Sequence, residues 1–447
     1  MIAVGGVLQE GALDRKVHCL YSQNRVFGIV ADDLTGALDA ALPFAERGYR
    51  AGVLLAPLTT AGLGGEQETA LYAAGLALDV VALSTDSRSD AAEIAAEKVR
   101  RAISGLEKRG ARRLYKKIDS TLRGPFSAEI RAAMETSGRD VAAMVCPAFP
   151  EQGRTVRNGI LRIHGVPLDA SPFGSPLPGI SSVPEIIEAA LLQPVVHLPI
   201  ETVEAGPEAV RESVAGALRA GCRVLCGDAT ETPHLRAIAA AIDGLDVLPC
   251  GSAGLAGAIA GLLAGPGRNP VGDLRGAMST RGKPVLVVAG SQHPATKAQA
   301  RRLAECGMAV LQRHGEDDAS LARWLAGGHN ALIELTFPGE QAALTGDRAY
   351  REARFGELAG TVKRCVAWAG GLVISGGDTA RVVLEALGAQ ALVIRGALEP
   401  GVPVCIIEGG LAHGLPLITK AGGFGGPDTL ARAVGRLLGV YWRCDTK

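Results

Sequence analysis

Two adjacent carboxylates, Asp32 and Asp33, close the apolar run Phe27–Ala31 and precede Thr35, Gly36 and a helical-looking stretch. A short apolar run ended in this way reads as a buried strand, a tight turn and a helix. In an open α/β sheet, ligands bind at the carboxyl ends of the strands, where this pair would stand. One aspartate could equally cap the helix while the other is solvated. Further polar groups follow other strand-like runs: Thr85, Asp86, Ser87 and Arg88 after 79–84, and Lys116, Lys117, Asp119 and Arg123 around 113–123. If the strands are parallel neighbours, these residues gather on one edge. Cations there suit a carboxylate-bearing ligand, and arginine binds one in bidentate fashion. Aspartates suit hydroxyls, as hydrogen-bond acceptors or as a proton acceptor. Lys116 and Lys117 alternate faces, so one of them is expected to point into the site. The competing reading is a solvated, charged rim.

In the second half, three strand-like runs end in small-residue turns: Gly290-Ser291, Gly376-Gly377-Asp378-Thr379 and the glycine-rich stretch containing Gly422 and Gly423. Glycine lets backbone N–H groups approach an anion, and a helix N-terminus behind them adds a favourable dipole. Gly376 to Thr379 has both features and is the first choice for nucleotide phosphates. Ordinary strand-to-helix turn chemistry is the alternative. Two look-alikes are set aside. Gly276–Lys283 resembles a Walker loop but has one residue too many, and Pro284 stands where Ser or Thr is needed. Gly251–Gly257 has the wrong glycine spacing for a dinucleotide fingerprint.

The elements that must position these groups alternate strand and helix from residue 26 to 150, as in a largely parallel sheet flanked by helices. Residues 151–185 are Gly- and Pro-rich and read as a long loop or a small hairpin. Alternation then resumes to about 263. The expected organisation is an extension over 1–25, a first domain over 26–265, a linker over 266–284 and a second domain over 285–447. The fold class is α/β, two domains, each a largely parallel sheet flanked by helices.

The chain has 447 residues, 47% of them apolar, which is ample for a sizeable core. Net charge is zero and aromatics make up only 4%, which argues against nucleic acid as a partner. Cys222 and Cys226, among nine scattered cysteines, lack a second pair at zinc spacing and read as buried reduced thiols. There is no run of 18 apolar residues and no signal-peptide pattern, so a cytoplasmic protein without a membrane partner is expected.

Seven separated motifs resemble those of the four-carbon acid sugar kinases. They are Ala31–Ala37, Thr85–Arg88, Lys117–Gly124, Cys146–Pro150 with Gly153-Arg154, Gly290-Ser291, Ser375–Thr379 and Lys420–Gly425. They occur in family order. The resemblance implies an N-terminal sugar-acid-binding domain, a C-terminal nucleotide-binding domain, and ATP-dependent phosphorylation of a tetronate at its terminal hydroxyl. Family substrates include D-threonate, D-erythronate and oxo-tetronates. Carried over by motif, Asp33 and Thr85 to Arg88 would touch the acid, and Ser291, Gly376 to Thr379 and Gly423 would touch ATP. The chain departs from the family pattern in the basic residues within Asn158–His164 and in its N-terminal extension.

Phosphoryl transfer passes through a loose transition state, so positioning and charge neutralisation supply most of the rate. Asp378 is the expected Mg²⁺ partner, direct or through water. Asp33 is the expected proton acceptor, with Asp32 its rival, and closure is expected about the linker. Two other readings are an NAD(P)-dependent dehydrogenase of a related acid and a non-catalytic sensor. The partners expected are a small-molecule sugar acid and ATP, with a homodimer left open.

Overall fold

The computed structural model describes residues 26–55, 78–138, 141–263, 280, 282–307, 309–312, 318–335 and 348–440. The expected N-terminal extension, residues 57–70 and most of the 266–284 linker, including the greater part of its Walker-like segment, lie outside the described residues.

The N-terminal half is built on β1 (Phe27–Ala31), β2 (Ala51–Leu54), β3 (Val80–Ser84), β4 (Arg113–Lys117) and β5 (Ala142–Cys146). After β6 (Arg154–Arg157), β7 (Ile160–Ile163) and β8 (Val166–Pro167) come β9 (Val195–Leu198), β10 (Val224–Gly227) and β11 (Val247–Gly251). The C-terminal half adds β12 (Val285–Ala289), β13 (Ala309–Gln312), β14 (Ala331–Glu334) and β15 (Gly371–Ser375). It ends with β16 (Ala391–Glu399), β17 (Val402–Glu408) and β18 (Pro416–Lys420).

Fifteen of these strands form one sheet, in the order β13-β14-β12-β15-β18-β17-β16-β2-β3-β1-β4-β11-β5-β10-β9. Its two ends are parallel blocks, β13 to β18 and β2 to β9. The β16–β17 hairpin joins them, with β16 antiparallel to β2. Interior strands such as β1 and β12 are buried at every residue, which their continuous apolar runs require when helices cover both faces. The helix Leu34–Ala45, apolar over most of its circumference, is wedged against β2, β3 and β16 and so belongs to the core of both halves. The stretch read as loop or hairpin over 151–185 is a hairpin, β6–β7, carrying β8 as a short third strand. Cys226 is a buried free thiol as expected, whereas Cys222 is free but only half-buried.

Candidate active site

Parallel register sets the first cleft. Ala31 is level with Ser84 on β3 and with Lys117 on β4, and Lys117 is level with Gly251 on β11. The four strands therefore release their polar segments at one height. The backbone fixes this edge further, since Thr85 N donates to Ala31 O at 2.8 Å and Ser87 N to Asp32 O at 3.0 Å.

The two leading carboxylates have different surroundings. Asp33 caps the Leu34–Ala45 helix: Oδ1 accepts from Gly36 N at 2.8 Å, and Oδ2 accepts from Thr35 Oγ1 at 2.8 Å. The same Oδ2 accepts from Arg88 Nη1 at 2.9 Å, yet the side chain still reaches the cleft. Gly36 has to be glycine here, because a Cβ would stand 2.5 Å from Asp33 Oδ1 and 3.0 Å from Lys117 Nζ. Asp32 is buried. Its Oδ2 accepts from Arg88 Nε at 2.7 Å, and its Oδ1 has no hydrogen-bond partner. Burial pushes the Asp32 carboxyl up, but Arg88, Lys117 and Lys116 outweigh it and hold the group below its ordinary range. Cap and cleft-facing group are thus the same residue, Asp33, and Asp32 lies behind it.

Arg88 reaches a third carboxylate, with Nη2 3.6 Å from Asp119 Oδ1. Asp119 also accepts Arg123 in bidentate fashion, both contacts at 2.8 Å, and a hydroxyl hydrogen bond from Thr121. Burial raises this carboxyl, and the Arg123 and Arg88 contacts overcome that and drive it far below the usual carboxylate range. Behind the edge, Lys116 Nζ pairs with Glu129 Oε2 at 2.8 Å with both side chains buried. Ser87 donates to Glu129, and Thr85 and Ser87 share a hydrogen bond of 2.6 Å. Thr85 and Ser87 thus face inward and do not line the cleft. Asp86 points the other way and meets Arg381 Nε at 3.0 Å on the helix Gly377–Ala386 of the other half.

The first cleft is a hollow of about 710 Å³ that is open to solvent. Of the residues singled out in the sequence, Asp33, Arg88, Lys117, Asp119 and Arg123 line it. Three further charged residues on its wall carried no assigned role: Asp39, and Arg154 and Lys420, which stood only within quoted motifs. Asp39 accepts no hydrogen bond from any described residue; burial pushes it up to about 6, partly offset by Lys117 and reinforced by Asp33. Arg154 lies over the Phe173 ring, as does Arg123, and its buried Nε has no hydrogen-bond partner. The C-terminal half closes the far wall with Gly401, Pro403, Thr419, Ala421 and Phe424. Gly251 packs against Cys146 O, where a Cβ would stand at 2.4 Å, so the 251–257 segment serves strand packing.

The second cleft, about 740 Å³, is framed by the ends of β12, β15 and β18. Ala289 is level with Ser375, and Ser375 with Lys420. The turns interlock: a Cβ on Gly290 would stand 2.1 Å from Thr379 Oγ1, and one on Gly422 would stand 2.0 Å from Ser291 Oγ. Gly376 adopts φ +114°, in the region glycine favours. Ser291, Gly376, Gly377, Asp378, Thr379 and Gly422 line this cleft, together with Arg351 and Phe355, which the sequence did not single out. Gly423 sits beside it, where a Cβ would stand 3.2 Å from His293 Nε2. The first-turn N–H groups of the Gly377–Ala386 helix open into this cradle, which glycines keep free of side chains, so the residues present fit a nucleotide's phosphates. Thr379 Oγ1 is buried without a hydrogen-bond partner. Asp378 is exposed, with Arg351 Nη2 3.8 Å from its Oδ2. No cluster of three or more metal-ligating side chains exists among the described residues. A single carboxylate beside a phosphate cradle nevertheless fits Mg²⁺, which is held mainly by phosphates and water.

Residues 27–259 match the family model described as a sugar-binding N-terminal domain, and residues 286–430 match a nucleotide-binding C-terminal domain. The chain is 37% identical over 423 residues to a D-threonate kinase of Bordetella bronchiseptica, covering 91% of this chain and 96% of the relative. It is 30% identical over 438 residues to a 3-oxo-tetronate kinase of Pseudomonas fluorescens, covering 93% and 97%. A solved Haemophilus influenzae structure superposes with TM-score 0.70 at 24% identity, covering 92% of this chain and 100% of that one, and supports the fold. No helix among the described residues is long and apolar enough to cross a membrane.

Proposed function

The chain belongs to the four-carbon acid sugar kinase family, and from that premise we propose how its two clefts divide the reaction. It is a kinase that transfers phosphate to a hydroxyl of a four-carbon sugar acid. The first cleft takes the acid and the second takes ATP, with the domains over 26–265 and 285–447. The acid's carboxylate meets Arg154 and Arg123 beside Phe173. This is supported by the unsatisfied Arg154 Nε. Lys117, whose Nζ lies beside Gly36, adds a further cation.

D-threonate and similarly hydroxylated acids are the proposed acceptors. A carboxylate such as Asp39 accepts hydrogen bonds from hydroxyls, whereas a ketone oxygen has no hydrogen to give it. The terminal hydroxyl then lies toward Asp33, which takes its proton. Arg88 holds Asp33 in place. Thr85 and Ser87 act from behind, through the Glu129 and Lys116 network that supports the Arg88 loop. Asp378 would hold Mg²⁺, which when bound would supply charge neutralisation for the donor's phosphates. The backbone of Gly376 to Thr379, with Ser291, Gly422 and Gly423, orients those phosphates.

The observation that carries this reading is the adjacency of the two clefts. A Cβ on Gly377, in the phosphate turn, would stand 3.7 Å from Asp33 Oδ2. Donor and acceptor sites therefore share a wall. The test is a panel of D-threonate, D-erythronate and 3-oxo-tetronates with ATP and Mg²⁺, followed by ADP release. Turnover greatest on D-threonate is expected. A flat panel from folded protein would sink the assignment, and preference for an oxo acid would sink the role of Asp39.

A further inference from the structure

Lys420 ends β18 where the two clefts meet. Its side chain is only 1% exposed. Nζ donates to Ser375 Oγ at 3.0 Å, Gly422 O at 3.1 Å and Thr296 Oγ1 at 3.3 Å. Two of these partners belong to the turns that frame the second cleft. Thr296 is itself tied to both turns, hydrogen-bonding Ser375 Oγ and Gly422 O, each at 2.9 Å. All three acceptors are neutral, and Lys420 forms no ion pair with any described residue. A buried charge is normally matched by an opposite one, as Lys116 is by Glu129. Lys420 lacks such a match in a place where the proposed ligand is a polyanion.

We propose that Lys420 is a buried positive charge whose counter-ion is the phosphoryl donor itself, and that it both holds the phosphate turns together and draws the donor's terminal phosphates to the junction of the clefts. This rests on the kinase reading above. Its surroundings make the charge conditional. Burial pushes the ammonium down to about 8, and the more distant Glu399 on β16 opposes this weakly. His293, the cap of the Pro294–Glu305 helix, also faces this site and is itself lowered, by burial and by Lys420. An arriving polyphosphate restores the ordinary lysine range, so donor binding draws a proton onto Lys420 wherever the free protein has lost it.

The test is calorimetry of the β,γ-imido analogue of ATP with Mg²⁺ at pH 8.5, in two buffers of different ionisation enthalpy. His293 is neutral at this pH. The wild-type protein is expected to take up a measurable fraction of a proton on binding. Lys420→Met should bind more weakly with no uptake, and its kcat should fall about 100-fold while KM for the acid changes little. Lys420→Arg should also bind without uptake, because its charge does not titrate, and it serves if the methionine variant does not fold. A purely structural staple would lower thermal stability and leave proton uptake at zero in wild type. Binding without uptake in wild type therefore overturns the assignment, as does undiminished uptake in either variant. If the wild-type protein binds no nucleotide, the kinase reading itself fails.

Discussion

Gly377 opens the phosphate-facing helix directly against Asp33, the cap of the Leu34–Ala45 helix, with a hypothetical Cβ 3.7 Å from Asp33 Oδ2 and 3.4 Å from Thr35 Oγ1. The two helices meet N-terminus to N-terminus, an arrangement that gathers favourable potential for the charge in transit. Those distances leave room for a methyl group but not for a branched side chain. Gly377→Ala should fold and turn over like wild type. Gly377→Val should fold and bind nucleotide, yet lose at least about tenfold in kcat by filling the shared wall. Equal kcat values for the two variants would take this contact out of the reaction path.

Arg88 carries a structural duty that the sequence did not disclose. Expected from the motif to bind the acid, it also neutralises buried Asp32 and clamps Asp33. Arg88→Ala should raise KM for the acid and also destabilise the fold by about 3–5 kcal/mol at neutral pH, because Asp32 is left as a poorly compensated buried charge. The sign with pH follows from Asp32. Its carboxyl is lowered in the folded protein, so its stabilising contribution is present above the unfolded carboxylate range and lost as pH falls through the folded value. Without Arg88 that contribution is gone, and protonating Asp32 relieves the fold. Urea unfolding at pH 7.5 and pH 5 should therefore show a smaller gap between variant and wild type at the lower pH. An equal gap at both values would contradict the pairing as the source of stability.

Asp33 joins cap and proton acceptor in one side chain, and the two roles separate by substitution. Asparagine caps a helix about as well as aspartate, while alanine forfeits about 1 kcal/mol. Asp33→Asn should keep most of the wild-type stability and lose at least about 100-fold in kcat. Asp33→Ala should lose both. Nucleotide affinity should be little changed in either. A near-normal kcat in Asp33→Asn would remove the residue from proton transfer.

Strand ends were the legible part of this molecule. Runs such as Val285–Ala289 are apolar at every position because both faces are covered, and the polar or glycine residue that breaks each run marks the ligand edge. Strand β16 was not legible. Only Ala391–Ile394 is an apolar run, and the strand then passes through register shifts at Gly396 and beyond Ala397. Missing it hid the union of two parallel blocks into one sheet. Side-chain direction was equally hidden. Thr85 and Ser87 occupy a ligand-like motif but turn inward, Ser87 to Glu129, whereas Asp39, to which no role was given from the sequence, turns outward. Lys420 stood in a quoted motif, but only tertiary contacts reveal that no carboxylate accompanies it.

Asp39 gives the acid cleft its own pH dependence. Burial raises its carboxyl to about 6, so it is the group in this cleft that changes charge just below neutrality. As a hydrogen-bond acceptor for a substrate hydroxyl it works best ionised, and kcat/KM for D-threonate should fall below about pH 6 as it protonates. The same shift has the opposite consequence for stability. A carboxyl raised above its unfolded value favours the protonated fold, so its contribution is present at low pH and lost as pH rises from the unfolded range through 6. Asp39→Asn should accordingly be more stable than wild type near pH 7.5 and should lose the acidic limb of the kcat/KM profile. Its amide both donates and accepts, so discrimination between D-threonate and a 3-oxo acid should shrink. The measurement is kcat/KM for both acids between pH 5 and 8, alongside thermal unfolding. An acidic limb that survives unchanged in Asp39→Asn would assign that titration to another carboxylate and leave Asp39 without a role in reading the hydroxyl.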